Sequence, residues 1–267
     1  GRVITDANGN VLGSDDPNNN HVWRVRKDWA GGDLRADAAN FFGYSSASDA
    51  TESEIYTIRG QYEYDWMNWP AAWGAPYEDV DGDGVYTPEA GDYPGYDLEG
   101  TADCKTDDVL FGDQTLWWVF NDNGNIHTES GSESAIGLEI QAQAFGFSTN
   151  DEINDMTFYS YKIMNRSTET LNETYFGQWV DPDLGNYQDD YVGCDVGLGL
   201  GYCYNGDAED EGGAGYGFNP PAIGVDFFQG PIADPGDGID NDRDGVVDEQ
   251  GEQIIMSKFV YYNNDFT

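Results

Sequence analysis

The stretch Ile136-Gly-Leu-Glu-Ile-Gln-Ala-Gln-Ala-Phe-Gly-Phe147 decides the fold that we expect for this chain. Apolar side chains occupy alternate positions from Ile136 to Ala142, and polar residues or glycine occupy the positions between them as far as Gln143. This period of two predicts a β-strand, because successive side chains of a strand point to opposite faces. We expect its apolar face to be buried and its polar face to contact water.

Other segments rich in β-branched and aromatic residues extend this pattern over the C-terminal part of the chain. Turn clusters such as 121–124 and 148–151 separate them. The sequence therefore predicts a mainly β fold, an antiparallel β-sandwich or jelly-roll-like domain with long loops and one short helix. The predicted strands are Leu116–Phe120, Ile136–Phe147, Met156–Asn165, Thr174–Val180, Val192–Tyr204 and Ile254–Tyr262.

The N-terminal part is mixed. Ile4–Leu12 around an Asn-Gly pair predicts a hairpin, and His21–Arg26 alternates like a short strand. The capping-box pattern Thr51-x-x-Glu54 opens the predicted helix Glu52–Tyr64. We expect residues 1–267 to form a single β-rich domain, part of a longer chain, with a loop-rich region over 1–112 and the main β-sandwich over 113–267.

The chain is strongly acidic. It has 51 Asp and Glu against 11 Lys and Arg, a formal net charge of −40 at pH 7. Such a surface repels nucleic acid and anionic membranes, so neither is an expected partner. We likewise see no segment for direct membrane insertion. Cation binding, a saline habitat and a need for solubility are three explanations of the acidity, and bound calcium alone cannot account for a charge of −40.

Two segments share the pattern D-x-D-x-D-G. They begin at Asp79 and Asp240, and each lies in a long region rich in Gly, Pro and Asp. Alternating carboxylates turned toward one ion, followed by a glycine that permits a sharp bend, are typical of a calcium loop. The twelfth position, where an EF-hand has a bidentate Glu, is Ala90 in one segment and Gly251 in the other. We therefore expect Ca²⁺ sites that staple long loops, with affinities of roughly 10⁻⁴–10⁻³ M as in extracellular modules.

The expected ligands are the alternating aspartates, the carbonyl of the residue after the glycine, and a later acid that closes the shell, with Glu252 as an additional candidate. A third and less regular acidic cluster follows Trp179, also includes Asp189 and Asp195, and is the other predicted ion site. The predicted metal residues are Asp79, Asp81, Asp83, Val85, Glu89, Asp92, Asp240, Asp242, Asp244, Val246, Asp248, Glu249, Asp181, Asp183 and Asp190.

The sequence singles out no catalytic residue. With so many acids, no pair stands out as the two carboxylates of a glycosidase, and we expect a protein that is not an enzyme. Six tryptophans are open to three interpretations: core packing, a platform that stacks on sugars, or an exposed aromatic edge used in self-association. We favour core packing. The six tryptophans are Trp66, Trp69, Trp73, Trp117, Trp118 and Trp179.

Several segments, taken together, resemble long secreted surface proteins of the Bacteroidota that are exported by the type IX system. The resemblance implies a surface location and bound calcium, and it implies no active-site residues. The segments that carry it are Trp69-Pro70, Gly74–Gly84, Asp113–Asp122, Phe176–Gly185, Asp237–Asp242 and Phe259–Asp265.

We therefore expect an extracellular or cell-surface, calcium-stabilised structural or adhesion protein that self-assembles into a filament, tube or coat. The expected partners are further copies of the chain, or cell-surface and glycan contacts. The alternatives are a glycan-binding module that uses surface Trp, and a secreted polysaccharide hydrolase.

Overall fold

The computed structural model describes residues 21–95, 109–123, 128, 131 and 133–262. The predicted hairpin at Ile4–Leu12 lies outside these residues. The chain divides into two compact units, Gly1–Leu171 and Asn172–Thr267. The predicted change of character at residue 112 does not coincide with this division, and the expectation of one domain stays a prediction.

In its described residues the first unit combines two α-helices with two antiparallel sheets. Its elements are α1 (Arg35–Phe42), α2 (Glu52–Met67), β1 (Tyr77–Glu78), β2 (Tyr93–Pro94), β3 (Gln114–Asn121), β4 (Leu138–Gly146) and β5 (Phe158–Asn165). The three-stranded sheet has the order β3–β4–β5, and β1 pairs with β2.

The second unit has two antiparallel sheets in its described residues. The three-stranded sheet has the order β10–β7–β6, and β8 pairs with β9. Its elements are β6 (Asp190–Asp195), β7 (Leu200–Asn205), β8 (Glu209–Asp210), β9 (Gly217–Phe218) and β10 (Ala222–Asp226). The fold is thus mainly β and antiparallel, as the sequence predicts.

The helix α2 begins where the sequence predicts. The Thr51 side chain accepts the Glu54 N–H at 3.3 Å, and the Glu54 carboxylate accepts the Thr51 N–H at 2.8 Å. This reciprocal pair satisfies two of the backbone donors that an α-helix leaves open at its N-terminus. The helix ends at Met67, before Pro70. The expectation of a single helix is wrong, because α1 also forms, with no side-chain cap at Leu34.

Two small apolar clusters hold the first unit. One joins the helices through Leu34, Ala38 and Ile58. The other comprises Trp69, Ala75 and Leu110, and it is extended by partly buried aromatic residues such as Trp117.

The polar face of β4 is buried, contrary to the sequence prediction. Glu139, Gln141 and Gln143 are buried, and on the opposite face Ala142 is buried while Leu138 and Ile140 are half-buried. The reason is tertiary: the backbone at Gly74 packs onto Gln141 so closely that an added Cβ would lie 2.1 Å from its Nε2 atom. The segment after α2 therefore covers the polar face of this sheet.

Four further strand predictions are wrong or incomplete. His21–Arg26, Thr174–Val180 and Ile254–Tyr262 are not strands, because β-branched and aromatic residues favour a strand but do not supply the neighbour with which it must pair. Val192–Tyr204 is a hairpin rather than one strand, with a turn at 196–199 between β6 and β7. Cys194 and Cys203 therefore lie on neighbouring strands, and both are free thiols.

Neither helix of the described residues has the length and hydrophobicity that crossing a bilayer requires.

Candidate cation-binding loops

Two loops contain the D-x-D-x-D-G segments. We call residues 79–92 the first acidic loop and residues 240–252 the second acidic loop, and we number their positions from the first Asp as position one. The pairing of β1 with β2 holds together the ends of the first loop. An isolated bridge between Ile232 and Gln253 follows the second loop.

The Asp at position one organises each loop. The Asp79 carboxylate accepts the N–H groups of Gly84 at 2.7 Å, Gly82 at 2.8 Å and Asp83 at 3.2 Å. These hydrogen bonds, the one from Gly84 above all, hold the pKa of Asp79 below its usual value although burial opposes them. In the second loop Asp240 accepts the N–H of Gly245 at 3.1 Å, which is the same bond from position six to position one.

The later aspartates repeat one pattern in both loops. The carboxylate at position three accepts the N–H of position five, and the carboxylate at position five accepts the N–H of position seven. The first pair of bonds measures 3.3 Å for Asp81 and 3.1 Å for Asp242. The second pair measures 2.7 Å for Asp83 and 2.8 Å for Asp244. Each aspartate thus bends the chain around its own side chain, as in an Asx turn.

The backbone agrees at the two positions where the loops turn. Position four is left-handed in both loops, with φ of 75° at Gly82 and 60° at Arg243. Position six is also left-handed, with φ of 77° at Gly84 and 99° at Gly245. Glycine adopts this conformation without steric cost, whereas an arginine there is strained.

A buried acid closes each loop. Asp92, only 1% exposed, accepts the N–H of Val80 at 2.9 Å and of Thr87 at 2.7 Å. These donors are at positions two and nine. In the second loop Glu252, 5% exposed, accepts the N–H groups of the same two positions. The shorter Asp stands at position fourteen and the longer Glu at position thirteen, so side-chain length compensates for the difference of one residue.

These turns bring the carboxylates together. In the first loop one oxygen each from Asp79, Asp81 and Asp83 lies within 4.8 Å of the others. The second loop has two such groups that share Asp242. The groups are Asp240, Asp242 and Glu252, and Asp242, Asp244 and Glu249.

Two oxygens of the second loop are buried without a hydrogen-bond partner. They are Oδ1 of Asp240 and Oε2 of Glu249. A hydrogen bond to its own backbone favours the charged form of Glu249, but burial and the charges of Glu252, Asp242 and Asp244 raise its pKa above the ordinary value. In the first loop burial raises the pKa of Asp81, and the charges of Asp83 and Asp92 add to this effect. Negative charge is therefore concentrated in both loops, and the carboxylates of these groups supply no positive charge that would balance it.

The remaining predicted ligands take other positions. Glu89 is exposed and outside the first group. Asp248 is exposed, and its carboxylate accepts the N–H of Gly238 at 3.2 Å. The N–H groups of Val85 and Val246 donate within the loops, and ligation by their carbonyl oxygens stays a prediction. Sequence reasoning placed Asp92 among the ligands, but it did not identify the role of Asp92 and Glu252 in closing the backbone.

The third predicted cluster is only partly assembled. Asp181 and Asp183 are exposed, whereas Asp190 is half-buried at the start of β6. Asp195 lies at the far end of that strand, where it accepts the N–H groups of Gly197 and Leu198 and so caps the hairpin turn.

Comparison of the chain with protein-family models, with curated proteins and with solved structures returns no match.

Proposed function

We propose that this protein is an extracellular, calcium-stabilised structural or adhesion protein of the cell surface. The observation that carries the proposal is that two loops 161 residues apart in numbering, from Asp79 to Asp240, fold onto the same hydrogen-bond pattern and gather carboxylate oxygens within 4.8 Å. The resemblance of several segments to secreted surface proteins supports the same function.

The donor set fits Ca²⁺ better than a softer metal. Every group in both loops consists of carboxylates, and Ca²⁺ takes six to eight oxygen ligands in flexible geometry. Zinc sites usually include His or Cys, which these groups lack. The buried oxygens of Asp240 and Glu249 that accept no hydrogen bond are natural ligand positions.

The cations would act as staples. The backbone of each loop is already turned by carboxylates that accept N–H groups, and the cation neutralises the charge that this arrangement concentrates. Sites closed without the bidentate Glu of an EF-hand suit the millimolar calcium outside cells, with Kd of roughly 10⁻⁴–10⁻³ M. This range supports the extracellular or cell-surface location.

Thermal unfolding of the full chain tests the calcium proposal. We expect the Tm to be higher in 10 mM CaCl₂ than in EDTA, because this concentration is about 10–100 Kd and stabilises by about 1.4–2.7 kcal/mol per site. The same concentration of MgCl₂ should give a smaller shift, since Mg²⁺ demands a stricter octahedral geometry. A Tm that is the same in calcium and in EDTA would contradict the proposal.

A structural role in assembly is supported by the three-stranded sheet of the first unit. The face opposite Gln141 carries large exposed side chains. Contiguous apolar patches of this kind are uncommon on monomeric proteins and are typical of interaction sites. These side chains are Leu116, Trp118, Phe120, Tyr159 and Ile163.

Electron microscopy and light scattering of the purified full chain test the assembly. We expect filaments, tubes or sheets that form as protein concentration rises in calcium. The matched variants are Trp118→Lys, on the exposed face, and Tyr56→Lys, on an exposed position of α2. Loss of assembly in both variants, or a monomer at all concentrations, would contradict the assembly proposal.

The finer fold prediction, an antiparallel β-sandwich or jelly roll, also stays a proposal. It is supported by the antiparallel order of both three-stranded sheets.

A glycan-binding module is the second proposal. Trp179 is 67% exposed and Tyr262 is 77% exposed, and their ring centroids lie 5.9 Å apart. Exposed aromatic rings can stack on sugars, whereas Trp69 is buried in the core. Binding on a glycan array that Trp179→Ala abolishes, and Trp118→Ala does not, would support it; an array without signal would contradict it.

A further inference from the structure

A further cluster of oxygens lies where β6 begins and β7 ends, outside the residues of both acidic loops. Asp190 and Asn205 are directly opposite each other in the antiparallel pairing of these strands. Opposite residues point to the same face of a sheet, with Cβ atoms about 4.5–5.5 Å apart. Asp189 joins them, because its carbonyl oxygen accepts the N–H of Gly206 at 2.9 Å.

The Asn205 side chain is held in one orientation. The residue is only 7% exposed, and its Nδ2 atom donates to the carbonyl oxygens of Asp207 and Glu209, both at 3.3 Å. Turning the amide over would place Oδ1 against these two carbonyl oxygens, which is unfavourable. Oδ1 therefore points away from them, and it is buried without a hydrogen-bond donor.

Three carboxylate oxygens beside it are in the same condition. Both oxygens of Asp190 and Oδ1 of Asp189 are buried without a hydrogen-bond partner. The N–H of Leu184 favours the charged form of Asp190, but it does not make a hydrogen bond of normal geometry. Four buried acceptor oxygens thus belong to residues at the end of this hairpin, and buried acceptors without donors require a ligand that supplies positive charge or protons.

The surroundings add negative charge. Burial and then the charges of Asp189, Asp210 and Asp183 raise the pKa of Asp190. The Asp210 carboxylate is already satisfied by the N–H groups of Asn186 and Tyr216 at 3.0 and 2.8 Å, so it contributes charge.

The neighbouring thiol supplies no compensation. Cys203 precedes Asn205 by two residues on β7, so both lie on one face, and burial together with the charge of Asp190 raises the pKa of this thiol. A neutral thiol cannot balance the carboxylates.

We infer that Asp189, Asp190 and the amide oxygen of Asn205 form a third site for a hard divalent cation, one built on a β-hairpin rather than on a loop. Of the third cluster that the sequence predicts, this site keeps Asp189 and Asp190, adds Asn205 and leaves out the exposed Asp181 and Asp183. The identity of the cation as Ca²⁺ rests on the proposed function, whereas the site itself uses residues that the two acidic loops do not share.

Calcium stoichiometry of the full chain, measured by isothermal titration, tests this inference. We expect three sites in the natural chain and two in Asp190→Asn. The matched control Asp195→Asn makes the same charge change at the other end of β6 and should keep three. Asn205→Leu, which removes the ligand oxygen, should lose the site, whereas Asn205→Asp should retain it.

A buried, protonated Asp190 that donates to Asn205 is the competing explanation, and unfolding distinguishes the two. If Asp190→Asn keeps all calcium sites and shifts the Tm equally in calcium and in EDTA, the inference is overturned. The double variant Asp81→Asn with Asp242→Asn should weaken calcium binding at both loops and leave the affinity of the hairpin site unchanged. No change of affinity in that double variant, with one site lost in Asp190→Asn, would overturn the loop proposal and leave the hairpin site standing.

Discussion

The first and second acidic loops reach one backbone conformation with different closing residues and different supports. The first is closed by Asp92 and lies between paired strands β1 and β2, whereas the second is closed by Glu252 beside an isolated bridge. In the first loop the closing acid is outside the group of converging oxygens, but in the second it belongs to that group. The comparison indicates that the first loop separates its backbone closure from its group of converging oxygens, while in the second loop one side chain belongs to both.

The largest expected effect comes from removing the closing acids. Asp92→Ala should destabilise the chain by about 3–5 kcal/mol, because two hydrogen bonds to a buried charged group are lost and their donors are left without partners. Glu252→Ala should cost about as much in EDTA and should also weaken calcium binding, which Asp92→Ala should not. Urea unfolding and calcium titration measure the two effects.

The control for this pair is Glu89→Ala, an exposed acid of the first loop that should change stability little. An equal loss of calcium affinity in Asp92→Ala and Glu252→Ala would show that both closing acids are ligands and would remove the proposed difference between the loops.

Neutralising the third position should separate the two loops next. Asp242 belongs to both oxygen groups of the second loop, whereas Asp81 belongs to one. Asp242→Asn should therefore weaken calcium binding at its loop by about tenfold or more, corresponding to about 1.4 kcal/mol, and by more than Asp81→Asn weakens the first loop. Calcium titration of each variant measures this, with the exposed Glu211→Gln as the control for charge alone. A larger loss in Asp81→Asn would reverse the ranking.

Asp122 provides a reference carboxylate that turns the backbone and, among the described residues, belongs to none of the converging oxygen groups. It accepts the N–H groups of Gly137 and Leu138, both at 3.0 Å, and that of Ile136. Against the effect of burial, these bonds hold its pKa below the ordinary value. Because the folded pKa is lower than the unfolded pKa of about 3.9, the stabilisation is present above that pH and is lost as the pH falls through the folded pKa.

We expect Asp122→Asn to cost about 1–2 kcal/mol at pH 7 in EDTA, since charge-assisted bonds become neutral ones. The difference in unfolding free energy between this variant and the natural chain should be constant above about pH 5 and should narrow as the pH falls below about 4, toward the lowered folded pKa. Urea unfolding over that range is the measurement. If this difference in unfolding free energy does not depend on pH, the shape of the Asp122 side chain matters and its charge does not. Asp122 would then no longer serve as the reference carboxylate for the loops.

The smallest expected effect is at position four, where the loops differ in residue but share the left-handed backbone. Gly82→Ala should destabilise by about 1 kcal/mol, although nothing lies within 4 Å of the added Cβ, because the strain is in the backbone. Arg243→Gly should be neutral or slightly stabilising for the same reason. Thermal unfolding in calcium measures both. If both variants change the Tm in the same direction and by the same amount, the two loops do not share this conformation in solution.

Local features of this molecule could be predicted from the sequence. The start of α2 follows from Thr51 and Glu54, which interact within one turn. The bends of both acidic loops follow from aspartates that bind N–H groups two to five residues later. Contacts of this kind depend on a few neighbouring residues, so their signal is contained in a short pattern.

Features that depend on distant contacts could not be predicted. The burial of Gln141 depends on the approach of Gly74, which no pattern within β4 indicates. The hairpin turn inside Val192–Tyr204 is hidden by the apolar sequence around it. Asn205 has no distinguishing neighbours along the chain, and only the pairing of β7 with β6 brings it opposite Asp190.

The strained arginine of the second acidic loop has a consequence for the lifetime of the protein. Arg243 is exposed at the turn of that loop, so it offers a site for trypsin-like proteases wherever the loop opens enough to enter an active-site cleft. Cleavage of such a segment follows the population of its open form. A cation that holds the loop closed would therefore slow cleavage at this bond, and removal of that cation would speed it.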